Sequence, residues 1–146
     1  MGTIFSDSDI RVHVGDAGSI EHIWNVGKAF AEWLPEEGSV AIVMSQVADK
    51  STVSAFMEGL LLQGRTVIDA GEGGLETIHA ALSENKAAGA AMLDYSSAQD
   101  IASISLYDSR GTAISLQTGL SEISELVDAG NFLPSAKKGV VVNEKS

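Results

Sequence analysis

The sequence predicts an α/β protein with a mostly parallel sheet that helices cover on both faces. Two observations support this class: apolar runs of strand length alternate with segments of helical periodicity, and a hairpin signal follows the last run. The chain has 146 residues, close to the commonest size of a single domain. Hydrophobic residues make up 45% and charged residues 20%, which is typical of a folded protein.

Four amphipathic segments predict helices, because their apolar residues recur at spacings of three and four. Ser19 and Ser51 are candidate caps of the first two, and Gly64 and Gly130 are suited to end the second and the last. The predicted helices cover residues 20–34, 52–63, 75–86 and 120–129.

Short apolar runs predict buried strands at residues 39–44, 66–70 and 89–93. Residues 101–107 alternate in polarity, and the turn residues 108–111 then lead to residues 112–115, which predicts a hairpin. Residues 140–142 resemble a strand with no partner nearby, and residues 135–139 have the composition of a linker. We therefore expect a domain over residues 1–134 and a linker-like tail over residues 135–146.

Composition argues against several classes of function. The formal net charge is −11, which disfavours binding to nucleic acids and to anionic membranes. The chain has no cysteine, and its three histidines lack the spacing of a metal site. Because there is no signal-peptide pattern and no apolar run near the roughly 20 residues of a membrane span, we expect a cytoplasmic protein without a metal site of its own.

A serine follows the third predicted strand. Residues 94–100 form a loop with a hydroxyl at Ser96 and carboxylates at Asp94 and Asp100. Ligands of open α/β sheets bind outside the carboxyl ends of strands, so Ser96 is a candidate nucleophile. The alternative is an ordinary turn hydroxyl. For Arg11 the alternatives are an anion-binding role and pairing with one of the many carboxylates.

Several segments match one known family in order and spacing. They are Ile4-Phe5 with Asp9-Ile10-Arg11 and Gly15, then residues 27–34, 58–64 and 67–71. Together they resemble the opening motif, the first two helices and a strand in the first domain of the α-D-phosphohexomutases, which include phosphomannomutases and phosphoglucomutases. The resemblance covers about residues 3–142 and implies a three-layer α/β/α domain with a mixed four-stranded sheet, whose last main strand runs antiparallel.

The resemblance also implies a site. The family moves a phosphoryl group between a sugar hydroxyl and a phosphoserine, with Mg²⁺. Ser96 falls on that serine and is the candidate catalytic residue, and Arg11 falls on the arginine of the opening motif and is the candidate substrate-binding residue.

The neighbours of these two residues depart from the family. Asp94, Tyr95 and residues 97–99 replace the rest of its T-A-S-H-N-P loop, and residues 44–46, Met-Ser-Gln, replace its G-R-D segment. Cations are lost and carboxylates gained, which disfavours a phosphoserine that would carry about −1.5 to −2 charges at pH 7.

Two hypotheses follow. The family's enzymes have four domains around one cleft, and this chain resembles the first of them and a shortened connector. The first hypothesis is a non-catalytic, single-domain relative that acts as a binding or assembly module, as a homo-oligomer or on a larger protein partner, inactive alone and without a cofactor. The alternative is part of a phosphomannomutase or phosphoglucomutase, an isomerase of hexose phosphates completed by other domains, with Ser96 as phosphoryl acceptor, Mg²⁺ as cofactor and a sugar phosphate as substrate.

Overall fold

The structure, a computed structural model, describes residues 3–5, 9–35, 37–45, 47–130, 132–133 and 135–143. A single π-helical turn, Leu116–Leu120, precedes the last helix. The predicted helices and buried strands are confirmed, with small shifts at their ends, except that the third strand continues three residues further than predicted, to Ser96. In chain order the elements are β1 (Thr3–Phe5), β2 (Ile10–His13), α1 (Ser19–Trp33), β3 (Val40–Met44), α2 (Lys50–Leu62), β4 (Val67–Glu72), α3 (Leu75–Asn85), β5 (Gly89–Ser96), β6 (Ile101–Asp108), α4 (Ser121–Ala129) and β7 (Val141–Asn143).

The strands form one mixed sheet in the order β1-β2-β6-β5-β3-β4-β7. β3 is parallel to both β4 and β5, whereas β6 runs antiparallel to β5, which confirms the predicted direction of the last main strand. The predicted count of four strands is wrong, because the sheet in the described residues has seven. The additional strands are β1, β2 and β7. β1 and β2 have three and four residues, too few to give a clear hydrophobic period, whereas residues 140–142 resemble a strand but give no indication of a place in the sheet.

Helices lie on both faces of the sheet, as predicted. α1, α2 and α4 pack on one face through a core that includes Phe30, Phe56 and Ile123. α3 packs on the other face, where Ile78 and Leu82 belong to a second apolar cluster. Within the described residues, no helix has both the length and the apolarity that crossing a lipid bilayer requires.

Both predicted helix caps are wrong. Ser19 is the first residue of α1 rather than its cap, and its hydroxyl donates a 2.7 Å hydrogen bond to the Val14 carbonyl. α2 is capped by Asp49 instead of Ser51. The Asp49 carboxylate accepts hydrogen bonds from both the backbone N–H (3.0 Å) and the hydroxyl (2.9 Å) of Thr52. Because α2 begins at Lys50, Ser51 lies inside the helix and cannot be its cap.

The predicted hairpin after β6 is wrong in its second arm. Its turn is present, since the Asp108 carboxylate accepts hydrogen bonds from the backbone N–H groups of Arg110 (2.9 Å) and Thr112 (3.0 Å). Beyond the turn, however, the chain makes a single bridge, between Tyr107 and Ala113. β6 pairs along its whole length with β5, which explains its alternating polarity.

The sequence suggested a strand without a partner in the tail, but the structure shows a paired strand there. β7 pairs in parallel with β4, with Val141 opposite Val67. The preceding segment is held on α2, because the backbone N–H of Ser135 donates to Leu62 O (2.9 Å) and that of Gly139 to Leu61 O (3.0 Å). The partner strand is distant in sequence, so no local pattern could indicate it. A domain boundary at residue 134 stays a prediction.

Candidate functional site

Ser96 is the last residue of β5, at the edge of the sheet where β2, β3 and β4 also end. It pairs with Ile101 of β6, so residues 97–100 alone connect the two strands. The predicted loop over residues 94–100 is therefore shorter, a tight turn of residues 97–100, and Ser96 is a half-buried strand residue. Asp100 closes the turn in a left-handed conformation with φ of 57°, which aspartate tolerates better than most residues.

Asp94, on the same face of β5 as Ser96, is bound to the turn that follows β3. Ser45 Oγ donates a 2.6 Å hydrogen bond to Asp94 Oδ1, and the backbone N–H of Tyr95 donates to the same oxygen at 2.8 Å. The backbone N–H of Ser45 also donates to Leu93 O at 2.9 Å. The neighbour of this carboxylate is thus a neutral hydroxyl from the segment that replaces the family's G-R-D.

Asp100, the second carboxylate of the hairpin, is bound to Tyr95. The Tyr95 hydroxyl donates a 2.6 Å hydrogen bond to Asp100 Oδ1, and Asp100 O accepts from the backbone N–H of Val14 at 2.9 Å. The hydrogen bond to Asp100 raises the pKa of the Tyr95 phenol above its ordinary value, and the negative charge of Asp100 acts in the same direction. Both carboxylates therefore hold the hairpin and its surroundings together.

Arg11 lies on β2 and faces the same side of the sheet as Ser96. It pairs with Ser103 of β6, and Ser103 pairs with Asp94 of β5, so these three side chains share a face. Two strand spacings, roughly 10 Å, separate β2 from β5. Arg11 Nε lies 3.3 Å from Asp9 Oδ1, and its side chain is 55% exposed. The structure thus brings Arg11 and Ser96 to one face, but it also gives the arginine a carboxylate partner.

His13 and Asp16 form a pair that the sequence analysis missed. His13 Nδ1 lies 3.1 Å from Asp16 Oδ1. His13 pairs with Ile101, and Ile101 with Ser96, so the histidine and the serine stand in one row across three strands. Roughly 10 Å separates their backbones, which is beyond direct hydrogen-bond reach. The spacing of three residues was the only sequence signal, and it is common in turns.

A cleft of about 350 Å³ opens beside Ser45, between the ends of β3 and β4 and the start of α2. Lys50, the first residue of α2, lines it and is a cation that the sequence analysis did not assign to the site. Glu72 lines the same cleft. With one lysine and one carboxylate, this cleft lacks the concentrated positive charge that favours a phosphate group.

The hairpin that carries Ser96 has no cation, and its two carboxylates already have hydrogen-bond partners. The sequence has no Lys or Arg between Lys86 and Arg110. In the part of the chain that the structure describes, no group of three or more His, Asp or Glu side chains is placed to hold a metal ion. Mg²⁺ takes oxygen ligands, but Asp94 and Asp100 are already bonded to Ser45 and Tyr95. The described residues do not fit a magnesium site.

Comparison with known proteins identifies the family. The sequence-family model of the phosphoglucomutase/phosphomannomutase alpha/beta/alpha domain I matches residues 2–133 of this chain. The chain therefore belongs to this domain family. Phosphomannomutases of Salmonella typhimurium (strain LT2) and Salmonella montevideo are each 28% identical to it over 133 residues, 90% of this chain and 29% of theirs. The chain therefore spans less than a third of the length of these curated relatives.

A solved structure supports the fold. A phosphoglucomutase/phosphomannomutase family protein of Burkholderia thailandensis superimposes with a TM-score of 0.77 at 20% identity, over 96% of this chain and 32% of that one. At this identity the likeness shows the fold alone. The resemblance to the first phosphohexomutase domain is thereby confirmed in both sequence and architecture.

Proposed function

We propose that this chain is a non-catalytic relative of the first phosphohexomutase domain and acts as a binding or assembly module. The observation that carries the proposal is the strand conformation and pairing of Ser96. It is a paired residue at the end of β5, followed by a turn of four residues, where a loop able to present a nucleophile would be needed.

The electrostatics of the site support this proposal. Phosphoryl transfer depends on positioning and on cations that neutralise developing charge. Here Asp94 and Asp100 flank Ser96, and the hairpin strands carry no Lys or Arg. Arg11, the retained arginine, pairs with Asp9. A phosphoserine at position 96 would lie beside two carboxylates without a cation on either neighbouring strand segment.

No cofactor is proposed for the chain alone. The described residues gather no metal-binding group, and the two carboxylates of the hairpin have other hydrogen-bond partners. The retained sheet and helices provide a stable scaffold whose partner is a second copy of the chain or a larger protein.

One observation favours the alternative, in which Ser96 accepts a phosphoryl group and further domains complete a mutase of hexose phosphates. Ser96 and Arg11 face the same side of the sheet, within reach of one bound substrate. The matched relatives are more than three times as long as the aligned region, so the cations missing here would come from elsewhere in such an assembly.

Intact-mass measurement separates the two. The chain is incubated with glucose 1,6-bisphosphate or mannose 1,6-bisphosphate and Mg²⁺, with Ser96→Ala as control. The proposal expects no phosphate adduct on either protein, with or without added mutase domains. One phosphate on the unmodified chain that is absent from Ser96→Ala would overturn it and establish the alternative.

The assembly part of the proposal needs its own measurement. Sedimentation velocity over a range of protein concentrations tests self-association, and mixing with purified candidate partner chains tests a hetero-complex. A concentration-dependent dimer or a stable complex is expected. A strict monomer at every concentration, with no complex formed, would remove the support for an assembly role.

A further inference from the structure

A second cleft lies at the end of the molecule opposite Ser96. It has a volume of about 580 Å³, within the usual range of small-ligand pockets. Ser96 and Asp108 mark the two ends of the β5–β6 ladder, since Ser96 pairs with Ile101 and Asp108 pairs with Gly89. Seven residues of strand, roughly 23 Å, separate the two ends of the ladder. This cleft is therefore independent of the end of the sheet that carries Ser96.

Trp33 forms one wall of the cleft and is held in place from two sides. Its Nε1–H donates a 2.6 Å hydrogen bond to Glu122 Oε1 on α4. Its six-membered ring also lies against Gly119, where a Cβ atom would collide with the ring. The indole is partly buried and is fixed before any ligand arrives, so little side-chain entropy would be lost on binding.

The opposite wall is a turn rich in polar groups. Asp108 fixes this turn by accepting hydrogen bonds from two of its backbone N–H groups, those of Arg110 and Thr112. Ser109 and Thr112, which both carry hydroxyls, are lining residues of the cleft, and the Arg110 side chain, 84% exposed, lies 3.6 Å from Asp108. The lining also includes apolar residues, among them Ala88, Ala113 and Ile114.

We propose that this cleft binds a neutral saccharide. A sugar ring presents C–H surface to an aromatic and aliphatic lining and hydroxyls to polar groups at the rim, and this cleft offers both kinds of partner. A polyanion is disfavoured, because Arg110, the one cation among the described residues that line the cleft, is paired with Asp108. The proposal does not depend on the fate of Ser96.

The two tryptophans of the chain allow a direct test. Trp33 lines the cleft, whereas Trp24 packs under the Lys28 side chain and does not line it. In a Trp24→Phe variant, Trp33 alone reports, and its fluorescence should change saturably on titration with glucose, mannose, maltose or cellobiose. In Trp33→Phe the signal from Trp24 should stay constant.

Affinity and mapping complete the test. Thr112→Val, which preserves shape and removes one hydroxyl, should weaken binding measured by calorimetry about 3- to 10-fold, as expected for one neutral hydrogen bond. Amide shifts in ¹H–¹⁵N spectra should involve residues 109–113 and Thr118 and leave residues 94–100 unchanged. No binding of any of the four sugars, equal affinity in Thr112→Val, or shifts centred on Ser96 would each overturn the proposal.

Discussion

Gly27 of α1 and Gly59 of α2 lie in direct contact where the two helices cross. A Cβ atom on Gly27 would lie 3.3 Å from Gly59 Cα and would collide with the Phe56 carbonyl oxygen, and one on Gly59 would lie 2.9 Å from the backbone nitrogen of Lys28. Both glycines are buried, and the backbones approach more closely than any side chain would allow. The helix pair on this face of the sheet depends on this contact.

Gly27→Ala and Gly59→Ala are each expected to lower the free energy of unfolding by about 1–3 kcal/mol, because overpacking must push α1 and α2 apart. In an exposed helix the same change would stabilise by about 0.5–1 kcal/mol, so the sign alone is diagnostic. Urea unfolding followed by circular dichroism measures it. Gly74→Ala at the N-cap of α3, where a Cβ meets open space, serves as a control without overpacking and should change stability by less than about 1 kcal/mol, the cost of a poorer cap. A gain in stability at Gly27 or Gly59 would contradict the close approach.

Asp49, and not Ser51, caps α2 in the structure. Asp49→Ala should therefore lower the free energy of unfolding by about 1 kcal/mol, since the first turn loses the acceptor for Thr52 N–H and for its buried hydroxyl. Ser51→Ala should change it by less than about 0.5 kcal/mol, as expected for an exposed position without such a role. Chemical denaturation of the two variants measures both changes in the free energy of unfolding. A larger decrease for Ser51→Ala than for Asp49→Ala would favour Ser51, the cap expected from the sequence.

Arg65 joins the end of α1 to the start of β4. Its guanidinium donates hydrogen bonds to the carbonyls of Ala31 (2.8 and 3.1 Å) and Leu34 (3.2 Å), which the end of α1 leaves unpaired, and to that of Gly38 (2.9 Å) in the connection to β3. Burial lowers the pKa of Arg65 from its ordinary value, opposed by the charge of Glu37, yet arginine stays protonated.

Arg65→Ala should destabilise the fold by at least about 2 kcal/mol, because several charged hydrogen bonds are lost together. Arg65→Lys should recover only part of this, since one ammonium cannot reach three carbonyls in the geometry of the guanidinium fork. Thermal and urea unfolding measure both variants. Arg110→Ala removes an arginine that is 84% exposed and should stay within about 0.5 kcal/mol of the parent. An equally small effect at Arg65 would refute its structural role.

The helices and the buried strands could be predicted because their signals are local. The apolar period of three and four in α1 and the continuous apolar run of β3 reflect burial that each segment records in its own residues. The sheet edges could not be predicted in this way. β2 has four residues and carries no period that a sequence window can detect. Residues 140–142 do resemble a strand, but their partner β4 is distant in sequence, so the pairing of β7 could not be predicted.

The site shows the same division between local and long-range information. The position of Ser96 near the end of a strand follows from the apolar run at residues 89–93. The full length of β5 does not, because Asp94, Tyr95 and Ser96 are polar or aromatic and are predicted as loop residues. Their strand conformation comes from pairing with residues 101–103 of β6. Likewise, Ser45 reaches Asp94 only because β3 and β5 are neighbours in the sheet, a contact across 49 residues.

The hydrogen bond between Tyr95 and Asp100 makes a prediction about pH. It raises the pKa of the Tyr95 phenol above the ordinary value of 10.0. A group whose pKa is higher in the folded state contributes stability that is fully present below its unfolded pKa and is lost as pH rises through the folded pKa. The parent should therefore be more stable than Tyr95→Phe at neutral pH, and the difference should shrink once the pH rises above about 10.

The chain has two tyrosines, Tyr95 and Tyr107, so a Tyr107→Phe variant leaves Tyr95 as the one tyrosinate to observe by ultraviolet absorbance. Its titration midpoint should lie above 10.0, the ordinary value. Adding Asp100→Asn, which keeps a side chain that tolerates the left-handed conformation, should move the midpoint down, because the charged acceptor is gone. A midpoint unchanged by Asp100→Asn would show that Asp100 does not hold the phenol proton, and the hairpin turn beside Ser96 would then lack the anchor described above.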